Sequence, residues 1–286
     1  MLLAILGMLN VASDAETQAG KSDLGDARDA SNNIGRQMFA YPHPFGVRAN
    51  FPTVYDDGSG TGPYGPFHIN DRLAAHLGRR ITRETEADIG PDEDGENNIN
   101  PRVNSGNRDY GDDGIVYPFD LPACSWTTFE YEVNVIDPSI DLWFNAWIDW
   151  NRDGDWDDVE HCAKGPAPEW IVQNQFLSNL SAGINTITSR AFLPWHPDEG
   201  PRQIWMRITL SEQPWKGGSN PGVVGNAGSG PREKYLYGET EDYYFIPEKT
   251  SPDTTCSICN DYNDDGVIDM DDLVLFTEMW LQDCPQ

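Results

Sequence analysis

Hydrophobic and polar residues alternate along several short stretches in the second half of the chain. The clearest are FEYEVNV (129–135), DLWFNAWID (141–149) and QIWMRITL (203–210). A period of two predicts β-strands with one buried face. GINTITSRAFLP (183–194) and DYYFIP (242–247) are further strand candidates. Short strands separated by turns, without a helix-length run between them, favour a β-sandwich.

The stretch 141–149 assigns its large side chains to two faces. Leu142, Phe144, Ala146 and Ile148 fall on one face, and Trp143 and Trp147 fall on the other. The Trp residues at 143, 147, 150 and 156 are expected to pack the sandwich, with a platform for stacking sugars as the alternative.

The rest of the chain divides by composition. Residues 23–118 are rich in Gly, Pro, Asn and Asp, which predicts long loops, with one helical turn at NDRLAAHLGRR (70–80). The predicted domains are an apolar N-terminal segment (1–22), a sandwich (23–248), a polar linker (249–255) and a small module (256–286). The expected fold is therefore mainly β: an antiparallel β-sandwich with long loops, plus a small C-terminal EF-hand-like loop-helix module.

Acidic residues dominate the charge of the chain. There are 47 Asp and Glu against 19 Lys and Arg, for a formal net charge of -28. Such a surface repels nucleic acids and anionic lipids, so we expect no binding to a nucleic-acid backbone. The acids stand in short clusters punctuated by Gly, and aromatic residues make up 11% of the chain. This pattern is typical of β proteins that bind calcium, because the ion neutralises carboxylates that would otherwise repel one another.

The strongest metal-binding pattern is DYNDDGVIDMDD (261–272), which has the spacing of a calcium loop. Gly266 stands at the sharp turn, and the helix that follows presents one apolar stripe. The predicted ligands are Asp261, Asn263, Asp265, the carbonyl of Val267, Asp269 and Asp272.

A second loop, DWNRDGDWDDVE (149–160), has the same spacing but follows a strand instead of a helix. We interpret it as a calcium-binding turn at a strand end, with a polar hairpin as the alternative. The predicted ligands are Asp149, Asn151, Asp153, Asp155, Asp157 and Glu160. In GETEDYYF (238–245), the acids Glu239, Glu241 and Asp242 either form an additional metal site or face solvent.

Five cysteines and the first residues bear on localisation. Cys124 and Cys162 are one candidate pair, and Cys256, Cys259 and Cys284 bracket the C-terminal module, with the connectivity left open. A disulfide framework indicates an oxidising compartment. The apolar segment MLLAILGMLNVA is either the core of a secretory signal or a strand used in assembly, and it is too short to span a bilayer. We therefore expect a secreted or cell-surface protein without a transmembrane span.

Catalytic motifs are missing from the sequence. It contains no HExxH zinc motif, no GxSxG elbow and no phosphate-binding Gly loop, and its five His residues are scattered. We predict a protein that is not an enzyme. A glycosidase-type pair of carboxylates has no sequence spacing of its own, so a secreted hydrolase stays as an alternative.

Five motifs resemble the bacterial GEVED-domain family over about residues 23–247. They are DLGDARDAS (23–31), GPFHI (65–69), DDG (112–114), WIDWNRDGDW (147–156) and GETEDYYF (238–245). The first departs from the usual DFGDAPDSY in having Arg28 in place of Pro. The resemblance implies a β-rich, calcium-associated surface module without catalytic residues, whose acidic motif maps onto Glu239, Glu241 and Asp242.

Residues 256–286 resemble a dockerin-type calcium repeat, of which a full dockerin carries two. The single repeat leaves calcium binding intact and weakens the expectation of a cohesin-like partner. Together these patterns predict a structural surface protein that binds Ca²⁺. We expect it to assemble head-to-tail into a fibre through its N-terminal strand. The alternative is a carbohydrate-binding or adhesive module, with glycans as ligands, that docks through its C-terminal repeat.

Overall fold

A computed structural model describes residues 23–30, 39–41, 46–55, 63–81, 87, 111–195, 203–217 and 226–246. The predicted C-terminal module and the N-terminal apolar segment lie outside these residues. The described part contains strands and no helix, which confirms the mainly β, antiparallel class. The strands are β1 (Ala75–Leu77), β2 (Glu130–Val135), β3 (Leu142–Ile148), β4 (Val159–Cys162), β5 (Gly165–Pro168), β6 (Trp170–Leu177), β7 (Gly183–Thr188), β8 (Ile204–Ser211) and β9 (Gly238–Phe245).

Two antiparallel sheets form the body of the structure. One has the order β1-β2-β7, the other β6-β3-β8-β9, and a small hairpin of β4 and β5 extends from the second. Side chains from both sheets, including Val133 and Phe144, share one hydrophobic core. Tyr131 of the first sheet stacks on Phe144 of the second, with ring centroids 3.7 Å apart. The sheets therefore pack face to face.

The alternation within β3 is confirmed. Leu142, Phe144, Ala146 and Ile148 all lie in the core between the sheets. Trp147 points to the opposite face, where it joins a second core with Trp156 and Trp205. The expectation that Trp residues pack the sandwich is likewise confirmed at positions 147, 150 and 156, whose side chains are almost completely buried.

The predicted helical turn at 70–80 is wrong, since its centre forms strand β1. Ala75 and Leu77 pair with Val135 and Val133 and are fully buried in the core. The chain turns at Gly78, whose φ of +50° suits glycine. Pairing with β2 therefore overrides a local preference for helix. The predicted strand at 183–194 is also shorter, because regular pairing ends at Thr188 and Phe192 forms only an isolated bridge with Thr127.

The outer face of the four-stranded sheet is covered by loops. Segments 39–41, 46–55 and 226–230 contribute Tyr41, Phe51 and Ala227 to the second core. Trp205 in β8 donates its Nε1–H to the carbonyl of Ala40 at 2.7 Å. Both faces of β8 and almost all of β9 are thus buried.

A fully buried ion pair lies between these loops and the sheet. The guanidinium of Arg207 in β8 forms two bonds to the carboxylate of Asp242 in β9, at 2.7 and 2.6 Å. Its remaining donors bind the carbonyls of Pro52 and Gly228 and the hydroxyl of Thr53. The loops therefore supply the acceptors that allow a buried arginine to keep its charge.

Replacing Asp242 by Asn is expected to lower the free energy of unfolding by about 3–5 kcal/mol, because it leaves the charge of Arg207 buried without a partner. Urea denaturation monitored by Trp fluorescence measures this loss. The matched control is Asp137→Asn, which breaks the exposed pair of Asp137 with Arg72 and should cost far less. Equal losses in the two variants would contradict the assigned role of the buried pair.

Candidate metal site at the end of strand β3

The second predicted calcium loop begins where β3 ends. Asp149 directly follows Ile148, and its side chain is fully buried. One carboxylate oxygen accepts the backbone N–H of Asp153 at 3.2 Å, and the other accepts that of Gly154 at 3.0 Å. The hydroxyl of Tyr41 donates to the same carboxylate at 2.8 Å. Asp149 therefore closes the loop back on itself and ties it to a covering segment.

A series of side-chain to backbone bonds gives the loop its tight path. The side-chain oxygen of Asn151 accepts the N–H of Asp153 at 3.0 Å, and Asp155 does the same for Asp157, also at 3.0 Å. In such Asx turns, the side-chain oxygen binds the backbone N–H two residues further on, as in a tight backbone turn. Gly154 lies at the sharpest point, with φ +92° and the carbonyl of Arg48 pressed against it. A side chain at this position would collide with that carbonyl.

Three carboxylates of the loop converge. Oxygen atoms of Asp153, Asp155 and Asp158 all lie within 4.8 Å of one another. Asn151 approaches the same group, donating its Nδ2–H to Asp158 at 2.7 Å. A cluster of oxygen donors on one tight loop suits a hard divalent cation.

Three of the predicted ligands lie outside the converging group: Asp149, which closes the loop, Asp157 and Glu160. Asp157 accepts the backbone N–H groups of Asn226 at 2.9 Å and Ala227 at 3.1 Å, so it anchors a covering loop. Glu160 lies in β4 and is not part of the converging group. The EF-hand spacing predicted Asp157 as a ligand, but the converging group contains Asp158 instead. A strand enters and a hairpin leaves this loop, so its last residues do not follow the path of a helix-flanked loop.

Sequence reasoning missed Glu169, which stands between β5 and β6. Its side chain is fully buried, and its two oxygens accept the backbone N–H groups of Trp150 at 2.9 Å and Asp158 at 3.1 Å. The β4–β5 hairpin brings it back to the loop. The available signal was an isolated acid between Pro168 and Trp170 in a strand-like stretch.

The electrostatics of the loop oppose full ionisation. Burial raises the pKa of Asp149 to about 8 and that of Glu169 to about 10, where the nearby charge of Asp149 adds to the effect. Burial also raises the pKa of Asp153 to about 7 and that of Asp155 above its usual range. Within the described residues, none of these carboxylates forms an ion pair with Lys or Arg. A bound cation would supply the missing positive charge.

The acids of β9 point to opposite faces of the sheet. Glu239 accepts the N–H of Leu77 at 2.7 Å, and Glu241 accepts that of Gly114 at 3.0 Å, both on the side of the core between the sheets. Asp242 faces the outer loops, where it pairs with Arg207 and accepts the N–H of Ala27 at 2.7 Å. The three predicted residues therefore do not converge on one point.

Burial is the main reason that the pKa of Glu241 rises to about 8. The hydroxyl of Tyr243 donates to Glu241 at 2.5 Å, which opposes the shift, and the nearby charge of Asp113 adds to it. This glutamate is thus held by hydrogen bonds from Tyr243 and Gly114, and no Lys or Arg among the described residues pairs with it.

One predicted disulfide is formed. Cys124 and Cys162 are bonded, with Cα atoms 5.3 Å apart, and they connect the loop before β2 to the β4–β5 hairpin. The other candidates, Cys256, Cys259 and Cys284, lie outside the described residues. The same holds for the predicted calcium ligands Asp261, Asn263, Asp265, Val267, Asp269 and Asp272.

The fold and the site together define a mainly β protein with a carboxylate cluster at the end of a central strand. Residues 143–246 match the family model described as GEVED domain, which supports the GEVED family for this region. The matched region contains the acidic loop, Arg207 and the acids of β9. No curated protein and no solved structure matches the chain. Among the described residues, no helix is long and apolar enough to cross a membrane.

Metal-free protein is expected to lose stability as the pH rises from about 5 to about 8. The folded-state pKa values of Asp149 and Asp153 lie above the value of about 3.9 for an unfolded Asp, so the folded protein binds more protons in this window. Thermal unfolding of demetallated protein at about pH 5.5 and about pH 7.5 measures the difference.

The variant Asp153→Asn should flatten this pH dependence, whereas Asp120→Asn, at an exposed position, should leave it unchanged. A melting temperature of metal-free protein that rises over the same pH range would contradict the assignment.

Proposed function

We propose that this chain is a secreted, calcium-binding structural protein of the cell surface and that it is not an enzyme. The observation that carries the proposal is the convergence of Asp153, Asp155 and Asp158 within 4.8 Å, beside the buried Asp149. Burying carboxylates without a counter-charge is costly. A divalent cation would turn this repulsion into attraction.

Calcium fits this loop better than other divalent metals. The donors are carboxylate and amide oxygens from a short loop, and the cluster contains no His or Cys that would favour zinc. Calcium accepts six to eight oxygen ligands in irregular geometry, whereas magnesium demands a near-ideal octahedron. The ion would be held by Asn151, Asp153, Asp155 and Asp158. The buried Asp149 and Glu169 would keep the loop in place through their hydrogen bonds to its backbone.

Two observations support an extracellular, structural role. The disulfide between Cys124 and Cys162 fits an oxidising compartment. The acids of β9 are engaged in backbone hydrogen bonds and an ion pair, which favours a role in folding over acid–base catalysis. Residues 143–246 match the GEVED domain, the family whose resemblance implies a surface module.

Calcium is expected to stabilise the full chain by about 2.7 kcal/mol when it is present at 100 times its dissociation constant. Calorimetric titration counts the sites, and melting curves with calcium or chelator measure the stabilisation. The double variant Asp153→Asn/Asp155→Asn should lose one site and part of the calcium-dependent shift.

The matched control for this experiment removes two exposed acids outside the loop, in the variant Asp120→Asn/Asp141→Asn. This control should titrate like the unmodified protein. A chain whose melting temperature is the same in calcium and in chelator would overturn the proposal. Equal loss of binding in both double variants would point to diffuse charge attraction instead of a site.

We further propose that the chain is the subunit of an extracellular fibre, in which the apolar residues 1–12 add as a strand to a neighbouring copy. Deleting residues 1–12 should abolish filaments seen by negative-stain electron microscopy while leaving the melting temperature unchanged. Filaments that persist after the deletion would refute strand donation. Replacing Leu2, Leu3 and Ile5 by Ser provides a second variant of unchanged length.

A further inference from the structure

One continuous stretch of the chain lacks charge altogether. From Trp170 to Ser189 the sequence contains no Asp, Glu, Lys or Arg, although charged residues make up 23% of the chain. The stretch is bounded by Glu169 and Arg190 and contains both β6 and β7. We call residues 170–189 the neutral edge.

The neutral edge forms one side of the sandwich. Strand β6 ends the four-stranded sheet and β7 ends the three-stranded sheet. The two strands follow each other in the chain, and the side chain of Gln175 in β6 donates to the carbonyl of Thr188 in β7 at 2.9 Å. The open borders of both sheets therefore lie on the same side of the molecule.

The backbone of β7 presents free hydrogen-bonding groups to this side. Ser189 donates its backbone N–H to the carbonyl of Phe129. In an antiparallel pair, the backbone groups of every second residue point to the partner strand, so those of Ile187 and Asn185 also point toward β2. The backbone groups of Ile184 and Thr186 then point outward. In the described part of the chain, no strand pairs with that border of β7.

Strand β7 lacks the features by which edge strands normally avoid pairing. Such strands carry Lys, Pro or inward-facing charges. The sequence GINTIT has none of these, and its β-branched residues favour extended structure. Ile184 is 44% exposed, and Phe176 of the adjacent β6 is 47% exposed. Side-chain caps cover both ends and leave the middle of β7 open: Gln175 binds Thr188 and Arg190 binds Gln173 at one end. At the other end, the Asn185 side chain binds the carbonyls of Ser181 and Gly183.

We infer that a second copy of this chain pairs with the neutral edge, through antiparallel contact between the two β7 strands. Two chains of net charge -28 repel each other over most of their surfaces. At the neutral edge, two copies could pair their backbone donors and acceptors without placing charged side chains opposite each other. A two-fold axis beside Thr186 would join the three-stranded sheets of both copies into one continuous sheet. This contact is separate from the calcium site and needs no N-terminal segment.

The test measures self-association of the full chain in calcium-containing buffer by sedimentation velocity over a range of concentrations. The expected result is a reversible dimer. Thr186→Lys places like charges opposite each other across the axis and should weaken the dimer by up to about fivefold. The control Ala163→Lys adds the same charge at the exposed β4–β5 turn and should leave the dimer intact.

A mixture of Thr186→Lys and Thr186→Glu proteins should form a mixed dimer, because opposite charges then meet across the axis. Circular dichroism and melting curves establish that each variant is folded. A protein that stays monomeric throughout, or a dimer weakened equally by both lysine variants, would overturn the inference. So would a dimer that disappears when residues 1–12 are deleted, since the contact would then belong to strand donation.

Discussion

The buried pair of Arg207 and Asp242 is the interaction on which the outer half of the structure depends. A guanidinium has five N–H donors, and here each one finds an acceptor: two on Asp242, two on carbonyls of the covering loops and one on Thr53. Irregular loops have few regular hydrogen bonds with which to hold a position. The charged pair gives them directional bonds at the sheet, and the loops in turn provide the acceptors that make a buried charge tolerable.

The same principle explains the acid-rich strand β9. Successive residues of a strand point to opposite faces, so neighbouring acids can tie down different elements. Glu239 and Glu241 hold backbone groups of β1 and of the segment before β2, and Asp242 holds residues 26 and 27. The close approach at residue 25 requires glycine, because a side chain there would collide with Asp242 and Arg207. The acids of β9, which ends the four-stranded sheet, therefore bond this strand to β1, to the segment before β2 and to residues 26 and 27.

The sequence predicts the parts of this fold that follow from period-two alternation. The two faces of β3 and the pairing class of the sheets emerge from side-chain pattern alone, because a half-buried strand repeats every second residue. Strand β1 was missed because Ala75–Leu77 is strand only through its pairing with β2. Glu169 was missed for a related reason. It contacts a loop that begins twenty residues earlier, at Asp149, because the β4–β5 hairpin folds back, and the sequence around Glu169 does not indicate this contact. The cluster contains Asp158 and not Asp157 because the backbone N–H groups of residues 226 and 227 bind Asp157 and so fix the direction of the loop after Gly154.

The distribution of charge connects the metal loop with the neutral edge. The carboxylates of the metal loop stand at the end of β3, where backbone N–H groups of the loop bind them. The lateral strands β6 and β7 obtain their stability from neighbours of the same sheet and from Ile171, Val172 and Ile187 in the core, so they need no charged anchors. On a chain as acidic as this one, any copy approaches most easily where charge is absent. Under the two proposals, the fold would separate two tasks in space: the acidic loop at the end of β3 would hold a cation, and strand β7 along one side would contact a second copy.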